Sequence, residues 1–111
     1  MITKAIKLLL LVYAALCVPA FAGSQTGQVS KVVIRASDGL VYFFMDGPST
    51  ARPACVSNML YWMIRDENST AGKRQLAALL AARASGQVIT VRGSDTCNRW
   101  YNGEDVDSIE M

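Results

Sequence analysis

The sequence has no histidine, which excludes any mechanism using imidazole as a base, nucleophile or metal ligand. Lysine is almost as scarce. Beyond residue 22 only Lys31 and Lys73 occur, and neither stands in a Ser-x-x-Lys arrangement, so no serine has an evident activating base. There is no glycine-rich phosphate loop and no Cys-x-x-Cys pair. A basic field is missing too. The net charge of +2 comes from Lys4 and Lys7, and beyond residue 22 nine basic residues face nine acidic ones. Little is left to neutralise phosphates, which argues against nucleic acid as a partner.

What is present divides into two parts. Lys4 and Lys7 precede an almost unbroken apolar run, Leu8–Val18, and Ala20-Phe21-Ala22 puts small residues where a signal peptidase reads. Residues 1–22 are therefore expected to be a secretory signal peptide cut after Ala22. A transmembrane anchor is the alternative, but Pro19 interrupts a stretch barely long enough to span a bilayer. No stable membrane span is expected. Cys17 follows the bulky Leu16 and does not make a lipobox, so it is expected to leave with the leader. The remainder, residues 23–111, is one domain in a secreted or periplasmic compartment.

Two cysteines then remain, Cys55 and Cys97. An even pair in a small exported domain reads as a disulfide. Its loop of 41 residues corresponds to about 4 kcal/mol in the chain-entropy account.

With 51% hydrophobic and 18% charged residues the chain is too apolar to be disordered. Gln28–Ala36 is rich in β-branched residues and reads as a strand; Ser37-Asp38-Gly39 is a turn; Leu40–Met45 is a second strand. Asp46–Pro53 is a breaker segment, and Met59–Arg65 a third strand. Ser69 or Asn68 caps a helix over Thr70–Ala84, with Leu76, Leu79, Leu80 and Ala84 on one face and Gly86 at the left-handed stop. Gln87–Arg92 and Val106–Glu110 are the last two strands. The fold class is all-β with one helix. The order β-β-β-α-β-β, with the helix between strands 3 and 4, predicts a five-stranded OB-fold Greek-key barrel. An open α+β sheet is the runner-up.

Glu104, Asp105, Asp107 and Glu110 form an acidic cluster that fits no calcium-loop spacing and reads as a solvated strand edge. No metal, cofactor or catalytic group is expected, and the protein is not read as an enzyme. The Asn68-Ser69-Thr70 sequon is better explained by capping. The aromatics, Tyr42, Phe44, Tyr61, Trp62, Trp100 and Tyr101 among them, are many for so small a domain. Strand alternation points Tyr61 and Trp62 to opposite faces. Trp100 and Tyr101, in a polar loop beside Cys97, either stack on a ligand or fold back over the disulfide. The alanine-rich helix, with Lys73, Arg74 and Arg83, either lines a shared groove or simply covers the barrel.

The stretch Leu76–Cys97 (LAALLAARASGQVITVRGSDTC), the acidic EDVDSI of Glu104–Ile109 and the hairpin with VSKVVI and VYFFMDG resemble a family of small exported bacterial OB-fold proteins. That family is related to the B subunits of subtilase cytotoxin and the pertussis-like toxins. The resemblance implies a binding module for a cell-surface glycan or glycoprotein receptor. It also implies a ring-shaped homopentamer and a separate catalytic A-type subunit. A serine at the start of the first strand contacts sialic acid in such toxins, and Ser30 falls at the matching place. The acidic and aromatic companions of that serine are absent from Gly23–Gln28. The candidate ligand-binding residues are therefore Ser30, Trp100 and Tyr101. The alternative function is a periplasmic protein-binding or inhibitor-like OB-fold protein that binds no sugar.

Overall fold

The longest strand, β1 (Ser24–Ile34), organises the architecture. The computed structural model describes residues 22–111; the expected leader up to residue 21, with Lys4, Lys7, Cys17 and Pro19, lies outside the described residues. The first half of β1 pairs antiparallel with β5 (Val88–Gly93), and its second half pairs antiparallel with β2 (Val41–Met45). Between the halves the register slips at Val29–Lys31, leaving Ser30 as the extra residue of a β-bulge. Such a bulge bends the strand and adds twist, which lets one strand serve two sides of a barrel.

β2 is followed by β3 (Ser49–Thr50), then a 3₁₀ turn (Ala54–Val56) and β4 (Trp62–Met63). The helix α1 (Thr70–Ser85) comes next, then β5 and finally β6 (Glu104–Glu110). β2 pairs with β4, β4 with β6 in parallel, and β6 with β5, which returns to β1. The result is a closed five-stranded barrel, β1-β2-β4-β6-β5, consistent with an OB-fold-like arrangement. The two seams of β4 are the narrowest: it pairs with β6 only at Trp62–Glu104 and Met63–Asp105, and with β2 only at Trp62–Phe43 and Met63–Tyr42.

The element order differs from the expected one. The helix follows the fourth strand and does not lie between the third and fourth. The additional strand is β3, taken from a segment read as a breaker. Ser49 and Thr50 pair with Gln25 and Ser24, on a stretch of β1 that begins four residues earlier than expected. Pro48, which has no N–H to give, stands just before this short ladder and leaves it intact.

The core is filled from both chain halves by Val29, Phe43, Trp62, Leu79, Ile89 and Val91, all buried. α1 starts at Ser69, whose hydroxyl accepts from the Gly72 N–H at 2.9 Å, and stops at Gly86, left-handed at φ 69°. Its buried positions are Gly72, Leu79 and Ala82, with Leu76 partly covered. Leu80 and Ala84, expected on the inner stripe, are exposed. Small residues on either side of Leu79 let the helix lie close to the barrel with one deep anchor. Lys73, Arg74 and Arg83 face solvent. Among the described residues no helix is long and apolar enough to cross a membrane.

Cys55, in the 3₁₀ turn, is bonded to Cys97, in the loop between β5 and β6, as the sequence predicts. The acidic cluster departs from its reading as a solvated edge. Asp107 and Glu110 are exposed, but Glu104 and Asp105 are completely buried. β6 begins two residues earlier than expected and carries both carboxylates inside.

Candidate functional site

β2 alternates as its sequence suggests. Val41 and Phe43 are buried, while Tyr42 and Phe44 are only partly covered and pack into a second apolar cluster distinct from the core. Met63 stands opposite Tyr42 across the β2–β4 pairing, and Trp62 opposite Phe43. Tyr61 and Trp62 therefore part as predicted: Trp62 enters the core, and Tyr61 joins Leu40 and Met63 in the second cluster. The rings of Tyr42, Phe44 and Tyr61 lie with centroids 5.4–6.2 Å apart, edge-on or tilted. Burial raises the Tyr61 phenol above its ordinary pKa, and its hydroxyl bonds Asn102.

The loop from Ser94 to Gly103 lays Trp100 against this cluster. Three devices hold the loop there. The first is the disulfide at Cys97. The second is the buried Asp105 carboxylate, which accepts from Thr96 Oγ1 at 2.7 Å, Asn98 N at 2.9 Å and Arg99 N at 3.1 Å. The third is Arg99, which forks onto Glu67 at 2.7 and 3.1 Å and also reaches the Asp38 carbonyl. That bond to Arg99 lowers the Glu67 carboxyl pKa and raises that of the Arg99 guanidinium.

Together these elements enclose a pocket of about 230 Å³. Its walls are the rings of Tyr42, Phe44, Tyr61 and Trp100, with Leu40, Met59, Met63 and Arg35 completing the lining. The Arg35 guanidinium sits 5.0 Å from the centre of the Trp100 ring, within cation–π range. Asp38 pairs with the same guanidinium. The volume is below the roughly 300–1,000 Å³ of sites that enclose a drug-sized ligand, and it suits a single small ring.

Of the expected site residues, Trp100 lines the pocket. Tyr101 stands next to it, 74% exposed, its ring 5.6 Å from that of Trp100, and extends the aromatic surface outward. Ser30 does not line the pocket; it is the exposed residue of the β1 bulge. The sequence reading did not single out Arg35, Leu40, Met59 or Met63 for the site. The alternation in Val41-Tyr42-Phe43-Phe44-Met45, which puts two rings on the outer face, was the one available signal. Among the described residues no group of three or more His, Cys, Asp or Glu is placed to hold a metal ion.

Asp38 offers a direct check on the site's electrostatics. The hydrogen bond from Arg35, helped by the Leu40 N–H, lowers its pKa from 3.8 to about 2. A carboxylate with a depressed folded pKa contributes stability above its unfolded pKa and loses it as pH falls through the folded one. Carboxyl NMR should therefore place the Asp38 midpoint near 2, with Arg35→Gln moving it back toward 3.8. An unshifted midpoint in the unmutated protein would show that the Arg35–Asp38 pair does not form in solution.

Comparison of the chain with family models, with curated proteins and with solved structures finds no match.

Proposed function

We propose that this is an exported, non-catalytic binding module that recognises a cell-surface glycan or glycoprotein receptor through the aromatic pocket. The observation that carries the reading is the convergence of four rings and Arg35 on the outer side of the barrel. Barrels of this architecture bind oligosaccharides and oligonucleotides on the face of their second and third strands and the flanking loops. Here those strands are β2 and β4, and the loops are Arg35–Leu40 and Ser94–Gly103. Aromatic faces stack on the apolar side of a sugar ring, and the guanidinium supplies hydrogen-bond donors. Nine basic against nine acidic residues in the described chain favour a sugar over a nucleic acid. The disulfide supports export to an oxidising compartment. A ring-shaped homopentamer and a separate A-type subunit belong to the same proposal and rest on the toxin resemblance.

A glycan array followed by fluorescence titration tests it. Trp100→Ala should weaken the best sugar about tenfold, the equivalent of about 1.4 kcal/mol, with the circular dichroism unchanged. Absence of binding across a broad panel would sink the glycan reading. The second reading, a periplasmic protein-binding or inhibitor-like module, is favoured by the exposed apolar side chains of Met59, Leu60 and Tyr101. It would be supported by a single stable protein partner whose binding is lost in Tyr101→Ala.

A further inference from the structure

The backbone N–H of Gly23 donates to the buried Oε2 of Glu104 at 3.0 Å. The other carboxylate oxygen, Oε1, accepts from Arg52 Nε at 2.9 Å. Position 23 has no room for a side chain: a Cβ there would lie 2.3 Å from Glu104 Oε1 and 2.7 Å from Arg52 Cδ. From the other side Gly93 donates to the Gly23 carbonyl at 2.8 Å, and a Cβ on Gly93 would lie 1.9 Å from Glu104 Oε2. Two glycines thus clamp one carboxylate and hold the Gly23 nitrogen against it. The bond that enters this nitrogen is the one at which the leader is expected to be cut.

We propose that the α-amino group of Gly23, freed by cleavage after Ala22, is a built-in cation for Glu104, so that leader removal completes the polar centre of the barrel. The proposal rests on the export reading. In the cut, a leader peptidase hydrolyses the bond from the Ala22 carbonyl carbon to the Gly23 nitrogen. The oxygen of water joins that carbon, which departs as a carboxylate. The nitrogen takes one hydrogen from the water and, at neutral pH, a further proton from solvent, becoming an ammonium. A neutral amide donor is thereby replaced by a cationic one at the same place. Charge-assisted hydrogen bonds are roughly twice as strong as neutral ones, and salt screens a buried pair little. Arg52 is the only charged side chain bonded to Glu104 among the described residues. Its two remaining nitrogens are engaged by the carbonyls of Leu60 and Tyr61. Each carboxylate oxygen then faces one cation, with the Asp95 N–H at 3.2 Å completing Oε2.

The test compares two exported proteins. One is the unaltered chain. The other carries Gln-Thr inserted between Ala22 and Gly23, so the same cut leaves two residues ahead of Gly23 and keeps its nitrogen an amide. Both carry the same net charge. The unaltered protein is expected to melt about 5 °C higher. Its α-amine should titrate above the usual range of about 7.7–8.0, read from the pH dependence of its acylation rate. Glu104→Gln should equalise the two melting points; where that variant fails to fold, the α-amine titration of the unmutated protein carries the test. Equal melting points or an ordinary titration overturn the ion pair while leaving the cut standing. The mass of the exported chain separates the two claims. A first residue at Gly23 supports the proposal, and one elsewhere overturns both the cut and the ion pair.

Discussion

Replacing Cys55 and Cys97 with serine is expected to lower the unfolding free energy by about 4 kcal/mol. The bond closes a span of 42 positions in a domain whose core is small, so constraint of the unfolded chain is a large share of its stability. Urea denaturation of the oxidised protein and the double serine variant measures it, and reduction of the unmutated protein should reproduce the shift. The pocket should suffer as well. Cys97 lies three residues before Trp100, and without the bridge the loop hangs on Asp105 and Arg99. A loss below about 1 kcal/mol would mean that those polar anchors hold the loop by themselves.

A comparable loss, about 3–5 kcal/mol, is expected from Glu104→Ala. The carboxylate is buried and the Arg52 side chain is 9% exposed, so the substitution leaves a guanidinium, 3.8 Å over the Trp62 ring, with no counter-charge and only the carbonyls of Leu60 and Tyr61 as partners. Burial pulls the Arg52 pKa down, and the bond to Glu104 pushes it back up. Removing the acid therefore leaves the penalty without its compensation. Arg52→Ala alone should also be costly, and the double variant should lose much less than the two single losses added together. Urea midpoints of the three variants close the cycle. Additive losses would show that the two groups act independently despite their contact.

Much of this could be read from the sequence, and the reasons for the rest are specific. The disulfide, the Ser69 cap, the Gly86 stop and the opposed faces of Tyr61 and Trp62 each follow from residues close in sequence or from simple counting. β3 could not be read, because two residues carry no periodicity and their pairing is supplied by β1. The burial of Glu104 was hidden for a different reason. Its partner Arg52 lies 52 positions away in a segment rich in glycine, proline and serine, and a lone EDVDSIE run looks like surface. Asp105 was hidden because its partners are backbone N–H groups, which every sequence has. The pocket was half visible. Trp100 and the alternation of Tyr42 and Phe44 pointed to it, but the floor of Leu40 and Met63 depends on the loop that folds over it. Ser30 rested on the toxin resemblance alone, and the structure places it at the exposed β1 bulge, outside the lining of the aromatic pocket.

The β4–β6 seam joins Trp62 to Glu104 and Met63 to Asp105, pairs that are each 42 positions apart. Cys55 and Cys97 are separated by the same interval. Closing so long a loop for two residue pairs is entropically poor, and a reduced chain must search for it late in folding. Once the sulfurs are joined, the search is largely over before the seam forms. The order of events in assembly is then set by oxidation, so the speed at which this barrel matures should follow the oxidant and disulfide-exchange capacity of its surroundings.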